Sequence, residues 1–220
     1  MPCERIRVAS VGKQVPVDKM KIIVGKLLFL IIAMFLWGCA LPEARSTAGV
    51  AESISASSDK RTAVPDFELP PPQNDREKSY LGVSGGEKFT ARQINSKVLI
   101  IEVFSMYCPH CQHAAPKVNE LYETIEGRPD LKGKIKMIGI GIGNSSYEVN
   151  VFREKYKVVF PLFPDQDMTI GDQFGVKSTP TFIGVRFHED GNQEPFYFKS
   201  GGFGDAAQFL AEMVKLSGIE

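Results

Sequence analysis

The sequence predicts an α/β layered sheet, and three observations carry that expectation. Val98 to Phe104 reads VLIIEVF, an apolar run of seven, the pattern of a strand buried on both faces at the centre of a sheet. After Cys108 the period changes. Ala114, Ala115, Val118, Leu121, Tyr122 and Ile125 recur at three and four, so a helix lays one face on that sheet. The later segments keep alternating, in the order β-α-β-α-β-α-β-β-α.

Each element has its own signal. The domain opens at Val64-Pro65-Asp66-Phe67, and Pro70-Pro71-Pro72 and Gly85-Gly86 mark turns. Gly127 and Pro129 end the helix that follows Cys108. Ile135 to Ile142 is the next strand and Tyr147 to Tyr156 the next helix. A short strand around Val158 to Phe160 and a short helix around Thr169 to Phe174 come after. Thr181 to Phe187 and Pro195 to Ser200 pair across Asp190-Gly191, with His188 as a turn residue. Asp205 to Leu216 carries Ala206, Phe209, Leu210, Met213 and Leu216 at helical spacing.

The chain has 220 residues, enough for one globular domain with a non-globular extension. Acids and bases balance at 26 each, so no global field steers the protein toward nucleic acid or anionic lipid. The four cysteines are not spread like a disulfide framework. Cys3 and Cys39 stand early and Cys108 and Cys111 stand together, an arrangement that points to chemistry.

The first 39 residues read as an export address. Lys19, Lys21 and Lys26 precede an apolar run from Leu27 to Leu36, well short of the roughly 20 residues a membrane-crossing helix needs. Leu36-Trp37-Gly38-Cys39 resembles the bacterial lipobox, although Trp37 stands where a small residue is usual. The resemblance implies diacylation of Cys39 and a membrane-anchored lipoprotein. An uncleaved signal anchor is the alternative, and it exports the domain equally. Residues 40–63, rich in Ser, Ala, Thr and Glu, read as a flexible tether, and residues 64–220 as the folded domain.

Cys108-Pro109-His110-Cys111 carries the chemistry. Cysteines at i and i+3 lie one turn apart when the first opens a helix, so their sulfurs can meet. The helix end offers unpaired N–H groups and a partial positive charge to Cys108, which favours its thiolate. Cys108 is then the nucleophile and Cys111 resolves the mixed disulfide. Pro109 suits the first helical position, and His110 adds positive character. Half of a zinc site is the bland alternative, but no second Cys or His pair stands at ligand spacing, so no metal is expected. Glu102, in the middle of the apolar strand, is costly to bury unless paired or protonated. Glu102 also resembles the acid that assists proton transfer at the resolving Cys in thioredoxin-like families, and the resemblance implies that a raised pKa lets it accept the Cys111 proton. Its bland alternative is an edge-strand acid facing solvent.

The segment from Ile101 to Cys111 resembles the active-site region of the DsbA group, including its Pro-His dipeptide. Thr179-Pro180 resembles the cis-proline that faces the CxxC in thioredoxin-fold proteins, and Pro116 the proline inside the active-site helix. Val64-Pro65-Asp66-Phe67-Glu68-Leu69 is similar to the opening segment of TlpA/ResA-like redoxins. Sixty-nine positions separate Cys111 from Pro180, which fits that group's extra strand–helix unit. The resemblance covers roughly Pro65 to Gly218.

It implies a thioredoxin-like fold, a central mixed β-sheet flanked by helices with one strand–helix insertion between the CxxC and Pro180. It also implies a protein thiol–disulfide oxidoreductase of the bacterial cell envelope, on the periplasmic side in a Gram-negative cell. The scaffold leans toward a reductase and the active-site dipeptide toward a DsbA-like oxidase. Implied partners are protein thiols and disulfides and a membrane electron donor, with no nucleic acid and no cofactor. Thr179, Tyr107 and Pro109 would line the substrate path, with Met106 and Tyr107 forming an apolar rim. Two other readings use different chemistry. A Sco-like copper site spaces its cysteines one residue further apart and would need His188. A peroxiredoxin uses a lone peroxidatic Cys in a Thr-rich turn.

Overall fold

The computed structural model describes residues 63–219 apart from Gly85. The export address, Cys3, Cys39 and the tether up to Thr62 lie outside the described residues. None of the described helices is long and apolar enough to cross a membrane.

The elements, in order, are β1 (Glu68–Leu69), α1 (Asp75–Leu81), β2 (Phe89–Thr90), β3 (Val98–Phe104), α2 (Pro109–Gly127), β4 (Ile135–Ile142), α3 (Ser146–Tyr156), β5 (Leu162–Asp165), α4 (Thr169–Gln173), β6 (Thr181–Phe187), β7 (Gln193–Ser200) and α5 (Ala206–Ser217). Five strands form one mixed sheet in the order β5-β4-β3-β6-β7, and β1 pairs with β2 in a separate two-stranded ribbon. β3 is parallel to β4 and antiparallel to β6, so the expected central strand has a neighbour on each side. Two strand–helix units, β4–α3 and β5–α4, stand between α2 and Pro180.

Strand alternation sorts the core into two layers. Val98, Ile100 and Phe104 face Val118, Leu121 and Ile125 of α2, Val149 and Phe152 of α3, and Phe209 and Leu210 of α5. Leu99, Ile101 and Val103 face Phe67, Phe89, Phe163 and Phe174 on the other side. Both layers are buried, which is why β3 reads as an unbroken apolar run. Glu102 shares the α2-facing side of the strand.

Caps define the helices. In α3 the Ser145 side chain and Glu148 exchange hydrogen bonds in a capping box, and Lys157 in the left-handed region (φ 52°) ends the helix. In α5 the Asp205 carboxylate accepts the Gln208 N–H at 2.8 Å.

Two features depart from the sequence expectation. The ribbon β1–β2 and helix α1 were not foreseen. α1 reads DREKSYL, too short and too charged to show a period, and it exists because the Asn74 side chain caps its start and Gly82 its end. The strand expected at Val158 to Phe160 lies at β5 instead. Val158 and Phe160 are buried, but they fill the core beside Tyr122, and the ladder starts where Leu162 pairs with Gly139. Pro161 lacks an N–H and contributes only its carbonyl, which accepts the Gly139 N–H at 2.9 Å.

β4 packs too closely for a side chain at Gly141. A Cβ there would stand 2.9 Å from Val149 Cγ2, 3.2 Å from Phe104 Cζ and 3.3 Å from Asn144 Cβ. Val149 is β-branched and fully buried, so it cannot swing aside. Gly141→Ala should therefore lower stability by about 1–3 kcal/mol in urea unfolding, the usual cost of overpacking a core. An unchanged midpoint would show that β4 has room to spare.

Candidate active site

β3 stops at Phe104, and the chain turns through Ser105–Met106–Tyr107 before α2 begins. Cys108 is the N-cap, in extended conformation (φ −83°, ψ 115°), with Pro109 at the first helical position. The Cys108 carbonyl accepts the Gln112 N–H at 3.1 Å, the first bond of the helix. The next N–H groups, of His110 and Cys111, have no helical acceptor and lie within reach of the Cys108 sulfur. Both cysteines are free thiols. Cys108 is half-buried, whereas Cys111 is 0 % exposed.

The two sulfurs differ in acidity for physical reasons. At Cys108, burial is the largest influence and opposes ionisation. The Thr179 side chain, the Cys111 N–H and thiol and the His110 N–H together outweigh it, and the pKa falls below the ordinary thiol value. The protonated Cys108 Sγ donates to the Thr179 carbonyl at 3.1 Å. Thr179 thus offers an acceptor to the thiol and a side chain to the thiolate. At Cys111, burial pushes the pKa up to about 12 against the Ser105 N–H and the Thr179 side chain, with Cys108 and the Glu102 charge adding to the rise.

Glu102 is buried at the centre of the sheet, between Gly139 of β4 and Phe182 of β6. A solvent-facing edge acid is thereby excluded. Its Oε1 has no hydrogen-bond partner within the protein, and burial lifts its pKa to about 8.

The Thr179–Pro180 peptide is cis. Its loop is tied to β7, because Gly201 N–H donates to the Pro180 carbonyl at 2.8 Å. Thr181 Oγ1 lies 2.6 Å from the Ser178 carbonyl and 2.8 Å from Ser200 Oγ. Chain segments 71 residues apart are thus brought onto one sulfur.

Pro109 and His110 are exposed, and His110 acts on Cys108 through its main-chain N–H. Tyr107 is 65 % exposed, and its hydroxyl donates to Glu148 of the α3 capping box. Met106 packs partly against the core. His188 flanks the β6–β7 turn and contacts Glu194 at 2.9 Å, as a turn residue does. Among the described residues, no three His, Cys, Asp or Glu side chains gather as a metal-holding group.

Sequence reasoning missed two residues. Asn144, after β4, is fully buried and accepts the Met106 N–H on Oδ1 at 2.8 Å. Gln112, in the first turn of α2, donates to the Met106 carbonyl at 2.8 Å. Neither stands in a motif, and both bind main chain, so no residue pattern advertises them.

A CxxC at a helix start, faced by an X-Pro loop on a mixed five-stranded sheet, defines a thioredoxin-like protein. The chain belongs to the AhpC/TSA family, whose model matches residues 61–195. It is similar to the thiol–disulfide oxidoreductase ResA of Halalkalibacterium halodurans, at 25 % identity over 103 residues, 47 % of this chain and 56 % of the relative. It is also similar to ResA of Geobacillus thermodenitrificans, at 22 % over 96 residues, 44 % of this chain and 52 % of the relative. The chain therefore spans about half the length of the curated relatives it matches.

Among solved structures, it is similar to a putative thiol:disulfide interchange protein DsbE from Chlorobium tepidum. The TM-score is 0.53 at 13 % identity, covering 71 % of this chain and 95 % of that one. A thiol–disulfide oxidoreductase from Bacteroides fragilis gives a TM-score of 0.50 at 18 % identity, covering 69 % and 98 %. At these identities the structures establish the fold.

The raised Glu102 pKa has a consequence for stability. The folded chain keeps that proton up to about 8, whereas the unfolded chain releases it near 4.5. Across that window the folded state binds more protons, so this group's contribution to stability falls as pH rises. Glu102→Gln removes the titration. In urea unfolding from pH 5 to pH 8, stability of the unsubstituted protein should decline relative to Glu102→Gln. Parallel profiles would show that Glu102 is ionised in the fold.

Proposed function

We propose that this protein is a thiol–disulfide oxidoreductase that acts on proteins in the bacterial cell envelope through the Cys108–Cys111 couple. One observation carries the reading: two thiols one helical turn apart, the outer with its pKa held below and the inner with its pKa far above the ordinary thiol value, face the Thr179–Pro180 loop.

In the reductive direction the Cys108 thiolate attacks a partner disulfide. The partner's S–S bond breaks, a Cys108 mixed disulfide forms, and the departing partner thiolate takes a proton. Cys111 then gives its proton to Glu102 in its ionised form, directly or through water, and attacks the Cys108 sulfur. The second partner sulfur leaves as a thiolate and takes up a proton. The partner gains two electrons, and Cys108–Cys111 becomes a disulfide. A thiol as reluctant as Cys111 needs a base beside it, and a carboxylate of raised pKa is a stronger base than an exposed one. Thr179 offers main chain and Tyr107 and Pro109 exposed surface to an extended partner segment.

The scaffold leans toward a reductase supplied by a membrane electron donor. The stabilised Cys108 thiolate favours the reduced protein and supports a second reading, a DsbA-like dithiol oxidase. A Cys108–Cys111 potential near about −270 mV fits the reductase, and one near about −120 mV the oxidase.

For the amino-terminal region we propose an exported leader through residue 39 with Cys39 lipidated. A tether follows over residues 40–63, holding the domain of residues 64–220 at the membrane.

Cys111→Ala removes the resolving sulfur. It should accumulate mixed disulfides with partner proteins several-fold above Cys108→Ala on non-reducing gels. Equal trapping by both variants would contradict the assigned roles.

A further inference from the structure

Asn144 is fully buried against the turn that leads to Cys108, and none of its hydrogen bonds goes to a sulfur. All of its side-chain bonds go to the turn that precedes Cys108 or to its own loop. Oδ1 accepts the Met106 N–H at 2.8 Å, while Nδ2 donates to the Gly143 carbonyl at 3.0 Å and reaches Ser105 Oγ at 3.5 Å. Those two donations fix the orientation of the amide, so the acceptor faces Met106. The loop is itself anchored: Gly143, at φ 63°, donates its N–H to the Asp165 carbonyl of β5 at 2.9 Å. From the opposite side, Gln112 Nε2 donates to the Met106 carbonyl at 2.8 Å. Met106 is therefore gripped at both its main-chain donor and its main-chain acceptor, by groups on β4's exit loop and on α2.

We propose that Asn144 and Gln112 are a pair of positioning residues that clamp Met106 and thereby set the geometry of both sulfurs. The proposal rests on the thiol–disulfide reading above and goes beyond it by assigning residues that lie outside the CxxC and the Thr179–Pro180 loop. The physical route is short. One residue before Met106, Ser105 accepts the Cys108 N–H at 3.1 Å, and its own N–H faces the Cys111 sulfur. Two residues after Met106 stands Cys108 itself. A rotation at Met106 would turn the Ser105 N–H away from Cys111 and shift Cys108 out of its N-cap position, where the N–H groups of His110 and Cys111 reach it. Removing Asn144 would also strand a partly buried main-chain donor, which favours such a rotation. The other titratable groups around the pair are Glu102 on β3, His110 in α2 and the Tyr107–Glu148 contact, and both substitutions leave them in place.

The test compares Asn144→Ala and Gln112→Ala with the unsubstituted full chain. Asn119→Ala serves as a control, because it removes a buttress between α2 and the end of α3, donating to the Tyr156 and Lys157 carbonyls at 3.1 Å each. The readout is the rate of iodoacetamide alkylation at Cys108 in the reduced protein as a function of pH. Both clamp variants should move the Cys108 transition toward the free-cysteine value of about 8.5 and slow alkylation at pH 7 by roughly 3- to 10-fold. Asn119→Ala should lose stability and leave the transition where it was.

A shift in only one clamp variant, or in neither, overturns the clamp. An equal shift in the control also overturns it, because general loosening would then explain the effect. Should Asn144→Ala fail to fold, Gln112→Ala decides alone. An unsubstituted Cys108 that titrates as a free cysteine removes the proposed function and the clamp together. A depressed value with unmoved variants overturns the clamp alone.

Discussion

The start of α2, with Cys108 as its N-cap, is the constraint on which the rest of the candidate site depends. A helix start has N–H groups with no partner inside the helix, and here the chain places a sulfur against them. Pro109, which lacks an N–H, opens the helix without wasting a donor. One turn further in, the helix has become core, and the same kind of side chain is sealed from water. The contrast between a half-buried Cys108 and a fully buried Cys111 follows from three residues of helical rise. Sequence spacing therefore sets up two thiols of opposite character.

That asymmetry needs support from three directions. β3 delivers the turn and carries Glu102 beneath the inner sulfur. The Thr179–Pro180 loop, tied to β7 through Gly201 and the Thr181–Ser200 contact, covers the outer sulfur. The exit loop of β4 reaches back to Met106 through Asn144. β3, β4 and β6 are adjacent in the sheet, so the three supports converge at one end of it, where β3 and β4 finish and β6 begins. Gly139 and Gly141 leave room for the Phe104 ring, which lies tilted against Phe152 at 4.6 Å between centroids.

Much of this was legible in the sequence. VLIIEVF announced a central strand, the change of period after Cys108 announced α2, and Ile135–Ile142 and Thr181–Phe187 fell where their apolar runs lie. Cys108, Cys111 and Pro180 stand in local motifs, and Glu102 stood out because an acid in a buried strand is expensive. The parts that escaped are set by distant partners. Asn144 binds a main-chain N–H 38 positions away, and nothing in GIGNSS marks it as anything but a turn residue. Val158 and Phe160 have the apolar content of a strand but spend it on the core, because Lys157 turns the chain and Pro161 cannot donate to the ladder. α1 depends on its two caps more than on any periodicity.

The central claim is a division of labour between two sulfurs: one exposed enough and acidic enough to react, the other buried and held as a thiol. The most direct measurement is competitive labelling. The reduced protein is treated at neutral pH with less than one equivalent of iodoacetamide, and the peptides are resolved by mass spectrometry. The account predicts that the label appears on Cys108, with Cys111 unmodified until the protein is unfolded. Label appearing first on Cys111, or on both cysteines at the same rate, would contradict it.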